Sequence, residues 1–291
     1  MEVFLDPFKY EFFRRGLLAA LLVGGLCGLI GVYIVLRRMS YIGHGLSHAV
    51  FGGAVISYVM NLNFYAGAAL WGFLAALIIN EITRRKKIGA DAAIGIVTTA
   101  SFAMGVALIS RARKFTRNFE AALFGNILGV TSTDLIVILV VTLLSGLGIF
   151  LLYKQLLFST FDEEVARVYG VSTGWTNTLF SLILAAAIIA SMQVMGVTLI
   201  AAAIVTPAIT ARLLTDSFSR LLGLSMLFGS LTAAAGMYLS YYLDIASGAS
   251  IVLFASTVFC VTLGYSSFLA SARKAPSRPG KRRNLEQFED L

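Results

Sequence analysis

Eight long stretches of this chain carry no Asp, Glu, Lys or Arg: 16 to 36, 39 to 60, 64 to 80, 92 to 110, 135 to 153, 175 to 211, 221 to 243 and 245 to 272. A bilayer core of about 30 Å takes about 20 apolar residues at 1.5 Å per helical residue, and backbone polar groups in lipid must pair internally. The runs therefore predict transmembrane helices. With 58% hydrophobic and 13% charged residues, the chain has too little polar surface to cover a soluble globule. The run from Trp175 to Ala211 is too long for one span, and SMQVMG at 191 to 196 offers a tight turn. Splitting there gives the expected fold, an all-α polytopic membrane helix bundle of nine helices. Eight result if 175 to 211 is one span plus an interfacial piece.

Lysine and arginine mark the cytoplasmic side of membrane proteins. With the N-terminus outside and the C-terminus inside, nine helices place 16 of the 23 basic residues on the inner side, among them Arg37, Arg38, Arg84, Arg85, Lys86, Lys87 and Lys154. The outer loop with Arg111, Arg113, Lys114 and Arg117 runs against that trend. MEVFLDPFKYEFFRR leads straight into a full-length apolar run, so no cleavable signal peptide is expected. Residues 1–272 form the expected transmembrane domain, with 154–174 as a polar inner segment. Residues 273–291 are expected to be a disordered basic cytoplasmic tail beside anionic lipid, not a nucleic-acid binder. Cys27 and Cys260 fall in apolar runs and are expected to be packing residues, not a disulfide or a thiolate cluster.

Within the second run, SYIGHGLSHAVFGG holds both histidines of the protein. His44 and His48 stand at i and i+4, on one helix face, where two ring nitrogens can address one ion. Counted from Arg38, His48 is ten residues in, about 15 Å and close to mid-bilayer. Ionisable residues at that depth are functional candidates by default, although a histidine can also simply hydrogen-bond to a neighbouring helix. Two nitrogens make half a coordination sphere. Water, hydroxyls such as that of Ser47, backbone carbonyls or a second copy of the chain must complete it.

KQLLFSTFDEEVARVYGVSTG, 154 to 174, reads as one short amphipathic helix. Phe161, Val165 and Val168 fall at i, i+4 and i+7, Asp162, Glu163, Glu164 and Arg167 on other faces, and Gly170 ends it. Its acidity favours docking into a soluble partner over lying on the membrane, where such helices are usually basic. Pro207, in VTPAITARLLTD, interrupts a helix near the inner face and is either a shaping kink or a hinge.

LRRMSYIGHGLSHAVFGG, LFGNILGV at 123 to 130, FDEEVARVYGV at 161 to 171, TLIAAAIVTPAITARLL at 198 to 214 and YLDIASGASIVL at 242 to 253 follow one another in a telling order. With them the chain resembles, over roughly residues 12 to 270, the permease subunit of ATP-driven manganese, zinc and iron ABC importers. The resemblance implies the membrane half of a bacterial uptake system in the cytoplasmic membrane. Its expected partners are a second copy of itself, two copies of a cytoplasmic ABC ATPase and an extracytoplasmic metal-binding protein. No tightly bound cofactor is expected; the cargo is a divalent metal ion moved by alternating access. The chain has no G-x-x-x-x-G-K-[ST] loop, so it is expected to be no enzyme, with ATP acting only through the partner.

In that family the early motif usually has an aspartate at the position of His44, followed by the histidine that matches His48, and both line the ion path. Imidazole in place of carboxylate tilts the expected cargo toward zinc over manganese, with iron also in range. Four imidazoles from two chains would approach a tetrahedral site. FDEEVARVYGV resembles the family's coupling segment, which makes Phe161, Asp162, Glu164, Ala166 and Gly170 the candidate ATPase contacts.

Two other classes fit part of the pattern. A proton-coupled secondary metal transporter would be expected to carry intramembrane carboxylates and often a repeated half, yet every acidic residue lies outside the apolar runs. An intramembrane zinc metalloenzyme needs a third ligand and a general base, and HGLSH has no glutamate between its histidines.

Overall fold

A computed structural model describes residues 6–85, 88–112 and 122–273. Lys86, Lys87, most of the basic loop expected outside (Arg113, Lys114 and Arg117 included) and the tail from residue 274 lie outside the described residues, with the expectations attached to them. The described helices are α1 (Glu11–Leu36), α2 (Ser40–Val59), α3 (Phe64–Arg84), α4 (Ala90–Ala112), α5 (Ser132–Leu151), α6 (Tyr153–Phe161) and α7 (Glu163–Val168), then α8 (Thr173–Met195), α9 (Ile200–Arg212), α10 (Phe218–Leu243) and α11 (Ser247–Arg273). Short 3-10 turns sit at Asp6–Lys9 and Ile127–Gly129.

Among the described residues, seven helices are long and apolar enough to cross a membrane: α1, α3, α4, α5, α8, α10 and α11. The expectation of nine counts two more that fall short of that measure. α2 has 20 residues, but its histidines and serines dilute its apolar character. α9 has only 13, about 20 Å at 1.5 Å per residue.

α9 is short because the turn expected within SMQVMG comes only at its last residue. α8 runs through that stretch to Met195, and the break comes at Gly196, whose φ of 76° suits glycine. A side chain at Gly196 would collide with backbone at Leu123, Phe124 and Gly125. These residues belong to a segment, 122–130, that folds back into this end of the bundle. The Asn126 N–H donates to the Gln193 carbonyl at 2.9 Å, the Val197 N–H to the Ala122 carbonyl at 2.9 Å, and the Thr198 hydroxyl to the Leu123 carbonyl at 2.7 Å. The Ile127 N–H donates to the Ser247 hydroxyl at 3.0 Å and draws in the start of α11. These bonds give the irregular backbone its partners from within the protein.

α1 is the hub. Ala19, Ala20, Val23, Ile30 and Ile34 are fully buried, and α10 packs antiparallel to it. The Ser225 hydroxyl donates to the Gly28 carbonyl at 2.6 Å and the Ser230 hydroxyl to the Leu21 carbonyl at 3.0 Å. Such bonds and close small-residue contacts hold helices together where lipid is as apolar as leucine. Cys27 is part of this core, its Sγ 3.7 Å from the Ser191 hydroxyl. Cys260, expected to pack, is exposed on α11. Pro207 is buried within α9, which continues through it to Arg212.

The polar segment 154–174 is two helices, not one. α6 stops at Phe161, and Asp162 is extended (φ −153°, ψ 106°). Its carboxylate accepts the Val165 N–H at 2.9 Å and starts α7 as an N-cap. An aspartate that caps a new helix competes with continuing the old one. Gly170, at φ 78°, closes α7 as expected.

Candidate functional site

α2 is seated by close backbone contact. A Cβ on Gly52 would overlap the Ser101 carbonyl of α4, so the two helices touch there and the register of α2 is set. Between Ser40 and Ser57 only Ser40, Tyr41, His44, His48 and Ile56 escape full burial. The histidines thus lie on the stripe that the rest of the chain covers least.

The two imidazoles converge. Their Nε2 atoms are 3.2 Å apart and the rings meet edge-on, with Phe102 of α4 closing one side at 4.8 Å from the His48 ring. One nitrogen can donate to the other, or both can hold an ion. At a tetrahedral angle, nitrogens 3.2 Å apart imply metal–nitrogen bonds of about 2.0 Å, the zinc–imidazole length. At a right angle the same separation implies about 2.3 Å, a fit for a larger six-coordinate ion. The spacing accommodates either geometry. His48 Nδ1 is buried without a partner, whereas ligating imidazoles usually anchor their second nitrogen. Ser47, named above as a further donor, is fully buried and donates to the His44 carbonyl at 2.7 Å. Among the described residues no three His, Cys, Asp or Glu side chains gather into a metal-binding group. Two ligands and an open stripe are what one chain offers.

The α1–α2 turn carries a feature that counting basic residues passes over. Arg37 folds under the bundle and donates to the Ser159 hydroxyl at 2.8 Å and the Thr160 hydroxyl at 3.0 Å on α6, and to the Asn177 side-chain oxygen at 2.9 Å on α8. Its guanidinium lies 4.8 Å from the centre of the Phe180 ring. Burial pushes the Arg37 pKa down to about 10, which leaves it charged at neutral pH. Sequence gives Arg37 and Arg38 the same meaning, a topology marker; only the fold separates the half-buried clasp from its exposed neighbour.

Beyond the clasp, α6 and α7 protrude. Phe161 is 66% exposed, Val168 86% and Tyr169 77%, and Asp162, Glu164 and Gly170 are exposed beside them. Ala166 is fully buried, so it packs α7 down and its side chain is not on the outer surface. Arg167 pairs with Glu163 at 2.7 Å and donates to the Thr173 hydroxyl at 3.0 Å, stiffening the short helix. A polar cleft of about 730 Å³ opens alongside, bounded by Glu163, Glu164 and Arg167 with Arg84 of α3.

Residues 9–266 match the model of the ABC 3 transport family. The manganese transport system membrane protein MntC of Halalkalibacterium halodurans is 41% identical over 258 residues, which cover 89% of this chain and 88% of that protein. The chelated iron transport system membrane protein YfeC of Yersinia pestis is 36% identical over 259 residues, again 89% and 88%. A chain of PsaBC from Streptococcus pneumoniae in complex with Fab superposes with a TM-score of 0.83 at 35% identity, covering 92% of this chain and 98% of that one.

Proposed function

The chain belongs to the ABC 3 transport family as a multi-pass membrane permease of an ABC metal importer, and from that premise we propose that it works as a homodimer whose α2 helices flank the ion path. His44 and His48 of each copy lend nitrogens to a passing ion, and the open stripe of α2 faces the second copy. The observation that carries this reading is the 3.2 Å convergence of the two Nε2 atoms.

The arginine-rich end is the cytoplasmic one in this reading, and α2 and α9 both cross, giving nine spans. Support comes from what meets at the start of α8. Arg37 at the end of α1 bonds Asn177, and Asn80 near the end of α3 bonds Thr178, so α2 must return between them. α9 likewise returns to the Arg37 end, where Ala208 and Ala211 pack with Val32. A separate ABC ATPase binds α6 and α7, with Phe161, Asp162, Glu164 and Gly170 at the contact and Ala166 seating α7 from beneath. ATP-driven closure moves these helices, Arg37 passes the motion to the α1–α2 turn, and the histidine path opens to one side and then the other. A metal-binding protein outside delivers the ion.

The cargo we propose is manganese or iron, on the strength of the relatives' names. Zinc is the second reading, favoured by two neutral imidazoles at a spacing that fits a tetrahedral ion. Ligand softness raises affinity, but selectivity also depends on geometry and supply. A proton-coupled mechanism has less support, since carboxylates in the described long helices (Glu11, Glu81, Asp91 and Asp134) sit in first or last turns. In proteoliposomes holding permease and ATPase, His48→Ala is expected to abolish manganese uptake while the ATPase stays bound. Uptake at the parental rate would overturn the reading.

A further inference from the structure

α5 and α10 stand on either side of α1, and between them runs an apolar groove of about 720 Å³. Leu29 of α1, Ile149 and Phe150 of α5, and Leu222 and Met226 of α10 form its walls. At the Arg37 end it closes on Lys154, Gln155 and Ser219. We propose that this groove holds an acyl chain of an anionic phospholipid, with the phosphate against Lys154.

The surroundings say what covers it. Leu143, Leu144, Leu147 and Leu151 of α5 and Leu227 of α10 are exposed, a surface that a membrane protein presents to lipid. From Gly146 to Leu151 the groove follows the end of α5 for five residues, about 8 Å of the roughly 15 Å that one leaflet's hydrocarbon provides, and it meets Lys154 at the start of α6. Its walls are apolar and its mouth is cationic. Lys154 is exposed and forms no ion pair among the described residues, so its charge is available to a phosphate, with the Gln155 amide and Ser219 hydroxyl as further donors. The lining also includes Tyr33, fully buried with its hydroxyl unpaired, a donor for which the protein supplies no acceptor. Gly146 leaves the groove wide: a Cβ there would meet nothing within 4 Å.

The proposal stands apart from the metal reading, because it is read out by lipid retention alone. The permease–ATPase complex is extracted from vesicles of phosphatidylcholine with and without phosphatidylglycerol and weighed by native mass spectrometry. The parent is expected to retain phosphatidylglycerol in preference to phosphatidylcholine. A cation beside an anionic headgroup is worth about fivefold in partitioning, so Lys154→Glu should lower retention about thirtyfold. Gly146→Phe fills the groove without meeting backbone and should release the lipid while thermal unfolding without phosphatidylglycerol matches the parent. Equal retention of the two lipids, retention unchanged in both variants, or no lipid carried by the parent would each overturn the proposal. So would protection from unfolding by inorganic phosphate alone equal to that by phosphatidylglycerol.

Discussion

Arg37→Ala removes a half-buried cation that ties three helices. Its bonds to Ser159, Thr160 and Asn177 span 2.8 to 3.0 Å, and hydrogen bonds to a charged group contribute about 1.5–3 kcal/mol each. The gross loss overstates the cost, because the freed hydroxyls can turn to water at the bundle's end. A net destabilisation of about 2–4 kcal/mol is expected, equivalent to one or two such bonds. Arg37→Lys keeps the charge but cannot fork to three acceptors, so about 1–3 kcal/mol should be lost. Because α6 leads directly into α7, the proposed ATPase contact, the functional loss should exceed the loss of folded protein. In proteoliposomes at a temperature where Arg37→Ala remains folded, metal imported per ATP hydrolysed should drop, with Arg37→Lys intermediate. Thermal unfolding in detergent gives the stability arm, and uptake against phosphate release gives the coupling arm. If Arg37→Ala unfolds with the parent and imports as much metal per ATP, the clasp neither holds the bundle nor relays motion.

His44→Asp restores a carboxylate beside His48 and should shift competition uptake toward manganese over zinc by about tenfold, one 1.4 kcal/mol step; an unchanged ranking removes ligand type as a determinant. Asp162→Asn keeps the N-cap of α7 while removing its charge, and combined with Glu164→Lys it should cost about 1–2 kcal/mol of ATPase binding. Pull-down at physiological salt reads this loss, and full retention of the ATPase counts against docking through that rim. Asp162→Ala should lose about 1 kcal/mol more from the missing cap.

Much of this protein was legible in its residues. The uncharged runs announce membrane helices because lipid leaves the backbone no other partner. The spacing of His44 and His48 puts two rings on one face before any fold is known, since four residues make roughly one helical turn. FDEEVARVYGV announces an exposed acidic and apolar surface, although Asp162 caps a second helix where one was expected, and Ala166 turns inward. Ser47 shows how far spacing reaches: it lies between the histidines, yet its hydroxyl bonds its own helix.

What the fold alone decided involves partners far apart in sequence. The end of α8 at Gly196 and the shortness of α9 are fixed by backbone bonds between residues 122–126 and 193–198; SMQVMG announces a turn, but not the distant segment that packs against it. Arg37 and Arg38 are neighbours of equal charge, and only the arrival of α6 and α8, more than a hundred residues on, makes one a half-buried clasp. Solvent preference and helical periodicity act within a few residues of chain, so the sequence states them directly. Satisfying a buried donor or a bare carbonyl depends on which distant atom is delivered to it, and that is settled only when the helices pack.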